Sequence, residues 1–261
     1  MPKPSRIPLA LGLLFAVNLL NFYDRYIIST VNEPIRKQYG FSDTQLGWLG
    51  TAFILLYAVI GVPLGRLADR WNRKKLLSLG LLLWSALAAL SGAAFGFWSL
   101  FLTRLGMGVG EAACAPTASS LIGDYYPASR RAWALSIFML GLPLGIMLSS
   151  FVSSAVAQAY GWRAAFFVAG VPGLLVALAI LALLEEPARG AAESSPVGAR
   201  RRPGSPYLLV LSIPTMWWII ASGALHNFNM YALAGFLPSF LMRTHGVSLR
   251  QAGFVSGVLF G

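Results

Sequence analysis

Five stretches of this chain carry no charged side chain at all: Thr44 to Gly65, Leu76 to Thr103, Ala132 to Trp162, Ala164 to Leu184 and Pro203 to Met242. A helix crossing a bilayer needs roughly 20 consecutive apolar residues, and each stretch has that length. Only 11% of the residues are charged and 57% are hydrophobic, whereas about a quarter are charged in an ordinary soluble domain. The chain therefore reads as an all-α, multi-pass membrane protein. Spans are expected at about 7–31, 44–66, 76–95, 99–122, 132–157, 163–184, 207–241 and from 248 onward. Helix breakers separate them at Glu33-Pro34, Gly96, Tyr126-Pro127, Gly161 and across residues 185–206. Lys3 and Arg6 precede the first apolar run, which leads into Asp24-Arg25 without a small-residue cleavage site. It reads as a retained first span and not as a cleaved signal.

Charges inside these spans are the candidates for function. Asp24 and Arg25 interrupt the first, and Arg104 and Glu111 the fourth. A charge at the bilayer centre costs from about 3 kcal/mol upward, so such residues pair with one another or face a water-filled cavity. Arg104 and Glu111 are seven positions apart, which puts them on nearly the same helical face about 10.5 Å apart along the axis, too far for a direct pair. The expectation is Asp24 opposite Arg104, with Glu111 left to exchange a proton. An arginine that moves toward or away from a buried carboxylate changes its affinity for a proton, which is the physical content of proton coupling. Two other roles stay open: a static ion-pair network holding the two helices together, and a fork in which Arg25 and Arg104 take an anionic headgroup. His226, in the seventh span, is a further candidate for protonation, with a satisfied core histidine as its bland alternative.

The remaining basic residues are unevenly placed. Lys3, Arg6, Arg66, Arg70, Arg73, Lys74, Lys75, Arg130, Arg131, Arg189, Arg200, Arg201 and Arg202 fall on one side of the spans, thirteen in all. Arg36, Lys37, Arg163, Arg243 and Arg250, five in all, fall on the other. Lys and Arg accumulate on the cytoplasmic side, which predicts a cytoplasmic N-terminus. The same bias explains most of the net charge of +11 without a nucleic-acid partner. The single cysteine, Cys114, excludes an internal disulfide and reads as a small buried apolar residue. No Cys/His ligand spacing and no serine beside a buried base is present, so neither catalytic residues, nor a metal, nor a cofactor are expected. Trp84, Trp98, Trp162, Trp217 and Trp218 read as interfacial anchors.

The polar segment at 185–206 divides the chain into a six-span unit at 1–184 and the start of a second unit at 207–261. The two resemble each other. Gly40-Phe-Ser42-Asp-Thr-Gln45-Leu-Gly47 matches Gly246-Val-Ser248-Leu-Arg-Gln251-Ala-Gly253 at an offset of 206 residues, and Asn21-Phe22 meets Asn227-Phe228 at the same offset. Parallel six-helix halves of this kind build the major facilitator fold, with the substrate between them near the midplane. By that repeat, the chain is expected to hold one half, the seventh helix and part of the eighth, and to need the missing helices for activity.

A loop motif agrees. Gly65-Arg66-Leu67-Ala68-Asp69-Arg70-Trp71-Asn72-Arg73-Lys74-Lys75 sits where the second span meets the basic side, with Gly65 and Asp69 on one helical face. It resembles the signature loop of the major facilitator superfamily, with Asn72 standing where that family usually has a second glycine. The resemblance implies a latch formed by Gly65, Asp69, Arg70 and Arg73, in which Asp69 approaches a helix N-terminus of the second half, where a carboxylate is favoured. Asn21 to Arg25, Glu33-Pro34-Ile35 with Phe41 to Gly47, and Arg104 through Gly110-Glu111-Ala112 resemble the spinster-like branch, whose members transport lipids. Organic-anion symporters of the superfamily share a Tyr-x-Asp-Arg-like segment in the first span. The expected protein is thus a secondary active transporter in the bacterial inner (plasma) membrane, coupled to protons. It would move an amphipathic or lipid-like organic anion among its membrane lipids by alternating access. A sugar-acid or carboxylate symporter and a truncated, non-transporting fragment are the alternatives.

Overall fold

The computed structural model describes residues 6–193 and 206–261. Lys3, Arg200, Arg201, Arg202 and the middle of the expected linker lie outside the described residues. Eleven helices make up the described chain: α1 (Ile7–Tyr39), α2 (Asp43–Arg70), α3 (Arg73–Gly92), α4 (Phe97–Glu111), α5 (Cys114–Tyr125), α6 (Ala128–Met139), α7 (Gly141–Tyr160), α8 (Trp162–Leu183), α9 (Pro206–Leu211), α10 (Pro214–His245) and α11 (Leu249–Phe260). Among them α1, α2, α3, the combined α6–α7 rod (Ala128–Tyr160) and α8 are five helices long and apolar enough to cross a membrane by length and composition. The chain is an integral, multi-pass membrane protein.

The departures from the expected spans have local causes. The first helix does not stop at Glu33-Pro34 but continues to Tyr39. Val31 and Ile35 on either side of the proline are fully buried, and their packing outweighs the one ladder bond that proline removes. The fourth span breaks at Ala112–Ala113 into α4 and α5, immediately after Gly106, Gly108 and Gly110. A side chain on Gly110 would run into the Gly80 carbonyl 2.8 Å away, so α4 and α3 meet backbone to backbone beside Glu111. The seventh span, α10, is long enough to cross but falls outside the apolar set, because His226, Asn227 and Asn229 dilute it.

The internal repeat survives in detail. Shifting α1 and the start of α2 by 206 residues lands on α10 and the start of α11. Both long helices end on a left-handed glycine, Gly40 at φ 68° and Gly246 at φ 62°, a conformation that costs a residue with a Cβ far more. Both following helices begin with a serine–glutamine capping box. Ser42 Oγ accepts from the Gln45 N–H at 3.2 Å while Gln45 Oε1 accepts from the Ser42 N–H at 2.9 Å. Ser248 and Gln251 repeat this at 3.3 Å and 2.9 Å. Each box satisfies orphan donors of the first turn reciprocally.

The two ends of the bundle are distinct. At one, the chain from Leu184 to Glu193 straps across the helix ends: Arg73 reaches Glu186 Oε1 at 2.8 Å and the Pro187 carbonyl at 2.8 Å and also pairs with Asp124. Arg189 donates to the carbonyls of Ala68 and Trp71 at the end of α2. At the other end, α10 is tied to α1 and α2: Arg243 bonds Glu33 and donates to both oxygens of Asp43 at 2.9 Å and 2.7 Å. Two apolar clusters fill the interior, one around Leu77, Leu81, Trp84 and Phe138 toward the strap, the other around Ile27, Val31, Leu49 and Phe166 toward the Arg243 end.

Candidate functional site

The four intramembrane charges converge midway along α1. Asp24, Arg104 and Glu111 are at most 1% exposed and Arg25 is 8% exposed, so all four are held out of water. They are paired differently from the expectation. Arg25, not Arg104, takes a carboxylate: its Nη2 and Nε donate to Glu111 Oε2 at 3.2 Å and 3.3 Å. Arg104 ignores the Asp24 carboxylate and donates instead to the main-chain carbonyls of Asp24 and Arg25 at 3.3 Å and 3.2 Å. Asp24 Oδ2 accepts from the indole N–H of Trp84 at 3.1 Å.

The physical reason lies in helix geometry. Glu111 is the last residue of α4, so its side chain leaves the helix end and swings onto α1. Arg104, two turns earlier, meets α1 on its backbone side. Trp84, expected at the membrane interface, is fully buried on α3. Its amphipathic ring supplies the one neutral donor long enough to reach Asp24 from that helix.

The surroundings leave these charges in an aromatic, poorly hydrated setting. The Arg25 guanidinium lies 4.8 Å from the Phe22 ring centroid, 4.9 Å from Phe53 and 4.7 Å from Tyr57. Arg104 shares Phe53 at 4.9 Å. Such contacts strengthen when desolvated. One oxygen of each carboxylate, Asp24 Oδ1 and Glu111 Oε1, is buried without a hydrogen-bond partner, as is Arg104 Nε. An unpaired buried acceptor is costly unless it is a place for a proton or a water.

A cavity of about 730 Å³ opens beside this cluster. Its walls come from α1, α2, α4 and α10, with Arg25 and Arg104 as its charged residues and Phe53, Ile54, Phe228 and Phe236 among its apolar ones. Helix α10 enters through Tyr231, whose hydroxyl accepts from Arg25 Nη1 at 3.1 Å and whose ring stacks on Tyr26 at 6.3 Å between centroids. Asn32 of α1 donates to the Gly235 carbonyl of α10 at 3.1 Å. Tyr231 was not singled out by the sequence reading, although a signal existed: it stands 206 residues from Arg25, at the repeat offset.

The other candidates lie elsewhere. His226 is exposed on α10 and is not a core histidine. Gly65 faces Pro116 of α5. Asp69 and Arg70 are exposed at the end of α2, and among the described residues Asp69 has no hydrogen-bond or ion-pair partner. Arg73 is separated from them, 1% exposed and committed to the strap. No group of three or more metal-ligating side chains occurs among the described residues, and Cys114 is buried and free.

Comparison with known proteins places this geometry. The Major Facilitator Superfamily model matches residues 14–261. An MFS-type efflux pump of Mycolicibacterium smegmatis is 34% identical over 259 residues, 99% of this chain and 60% of that protein. The sphingosine-1-phosphate transporter of Danio rerio is 38% identical over 192 residues, 72% of this chain and 38% of that protein. Among solved structures, a bacterial homologue of the human lysosomal transporter Spinster, crystallised inward-facing and unoccupied, superposes with a TM-score of 0.88. It is 33% identical over 99% of this chain and 60% of that one. The chain thus spans about 60% or less of the length of these relatives. Helix order, repeat and family match agree: the chain belongs to the Major Facilitator Superfamily.

Proposed function

We propose that this chain forms the substrate-reading part of a secondary active transporter that moves an amphipathic organic anion across the membrane by alternating access. The carrying observation is the cavity between α1, α2 and α10, which has two arginines at one wall and aromatic and aliphatic side chains over most of the rest. A site with that division selects a ligand of the same division, an anionic head on an apolar body. A sugar acid, polar all round, would leave most of its hydroxyls against Phe53, Phe228 and Phe236. The relative named for sphingosine-1-phosphate transport supports the amphipathic choice.

Proton coupling rests on Glu111 and Asp24. Each keeps one buried oxygen without a partner, and Glu111 shares Arg25 with the cavity. Engagement of Arg25 by a ligand anion competes with its bonds to Glu111, and so couples the ligand to the group that would exchange the proton. The basic end, with Arg73 and the strap, is the cytoplasmic one by the positive-inside rule, and Asp69, exposed at that end, takes the latch role that the loop's resemblance implies.

Binding tests this reading directly. In lipid nanodiscs, dodecyl phosphate should bind the chain more tightly than the uncharged monododecanoylglycerol. Arg25→Gln should weaken the phosphate probe about tenfold or more, since charge-assisted bonds are about twice as strong as neutral ones. Equal affinity of the two probes for the wild-type chain would end the anion reading. For coupling, Glu111→Gln should abolish pH-gradient-driven movement in proteoliposomes of the transporter while leaving exchange measurable. Unaltered gradient-driven transport would assign the proton elsewhere.

A further inference from the structure

The hydrogen bonds of Arg25 are unequally divided. A guanidinium has five N–H donors. Nε and one hydrogen of Nη2 go to Glu111, and the other hydrogen of Nη2 goes to Asn21 Oδ1 at 3.0 Å. These partners all belong to the first unit and are themselves buried. Nη1 faces α10, where the phenolic oxygen of Tyr231 accepts one of its two hydrogens, and the Tyr57 hydroxyl lies beside the same guanidinium. Arg104 offers less to a ligand, because it is only 1% exposed, against 8% for Arg25, and each of its Nη atoms already donates to a carbonyl of α1. Any anion entering the cavity therefore meets Arg25 Nη1 as its most exposed strong donor, with one of its two hydrogens already held by a neutral oxygen.

We infer that Tyr231 is a placeholder for the ligand's anionic headgroup: its hydroxyl oxygen holds the Arg25 Nη1 bond in the empty cavity and yields it when the anion arrives. The inference rests on the amphipathic-anion reading of the cavity. An anionic oxygen is the better acceptor for guanidinium, so the exchange runs toward the ligand. The tyrosine hydroxyl loses little, because Tyr231 is only partly buried on the cavity wall and can turn to water. The exchange also has a mechanical consequence. The Arg25–Tyr231 bond joins α1 to α10 at the level of the buried charges, and headgroup binding replaces that direct link by one through the ligand. Tyr231 acts on the anion through Arg25, which makes it a positioning and specificity residue.

The test is the ratio of affinities for dodecyl phosphate and monododecanoylglycerol, measured on the whole chain in lipid nanodiscs. Tyr231→Phe keeps the ring and its stacking on Tyr26 but removes the competing oxygen. It should tighten dodecyl phosphate about three- to tenfold, the worth of one displaced hydrogen bond, and leave the uncharged probe unchanged. Tyr231→Leu, which also removes the ring, should raise the same ratio, and a melting curve for each variant checks that it folds. An unchanged or lowered ratio in both variants would overturn the inference, since it would mean that Tyr231 helps the anion or is indifferent to it. A wild-type chain that does not distinguish the two probes overturns the cavity reading itself, and this inference with it. A wild type that prefers phosphate, with variants that do not gain, overturns this inference alone.

Discussion

Single side chains at the centre of this molecule carry unusually large energetic consequences, because each is buried with few alternatives. Trp84 supplies the one side-chain hydrogen bond that Asp24 receives among the described residues. Trp84→Phe preserves most of the packing and strips that donor, leaving both Asp24 oxygens unpartnered. It should destabilise the chain by about 1–3 kcal/mol, read as a fall in thermal unfolding midpoint in detergent. Glu111→Ala is the harsher change. It leaves the Arg25 guanidinium buried beside aromatic rings without its carboxylate, and breaking one side of a buried pair costs about 3–5 kcal/mol. Glu111→Gln retains an acceptor oxygen and should cost clearly less. If both substitutions lower the midpoint equally, the Arg25–Glu111 pair is not what holds α4 to α1.

Helices and their ends form the next scale. Arg73 opens α3, is 1% exposed, and gathers Ser120, Asp124, Glu186 and the Pro187 carbonyl onto one guanidinium. It fixes the strap from Leu184 to Glu193 across the ends of α3 and α5. Arg73→Ala should loosen that strap, so that trypsin cuts after Arg189 several times faster than in the parent chain, with α1 to α8 otherwise retained. An unchanged cleavage rate would show that Arg189 on the α2 carbonyls suffices to hold it. The capping boxes are a milder device. Ser248→Ala removes the bond to the Gln251 N–H, and loss of such a cap costs about 1 kcal/mol, which should appear as faster amide exchange in the first turn of α11.

At the scale of the whole molecule, α10 and α11 meet the earlier helices in three places: through Tyr231 and Asn32 beside the cavity, through Arg243 on Glu33 and Asp43 at the far end, and through α11 packed on α7, where Phe254 stacks on Phe151. Arg243→Ala should widen the distance distribution between spin labels placed on α10 and α2 near that end, since three acidic contacts vanish together. An unchanged distribution would assign the contact of the units to apolar packing of α11 on α7. Orientation is open to a direct experiment. In a Cys114→Ala background, single cysteines at Phe95, 86% exposed in the turn before α4, and at Glu193 in the strap should label from opposite sides of the membrane. Labelling of both from outside by an impermeant reagent would refute the thirteen-to-five charge argument.

Much of this was legible in the residues. Charge-free runs gave the helical membrane class, because hydrocarbon tolerates little else over that length. The 206-residue offset gave the repeat, since a left-handed glycine and a serine–glutamine box are local devices that read the same in either copy. The intramembrane charges marked the site, because burial of a charge is too costly to be idle. Their pairing was not legible. Which arginine meets which carboxylate depends on where α4 ends, how Gly110 lets α3 approach, and where a buried tryptophan reaches, all of them relations between helices. The same holds for Pro34, which reads locally as a stop and is overruled by the packing of Val31 and Ile35. Sequence alone determined which groups must be buried together. Only the tertiary structure decided who bonds to whom, because hydrogen-bond choice among buried groups is settled by ångström-scale geometry that no spacing along the chain encodes.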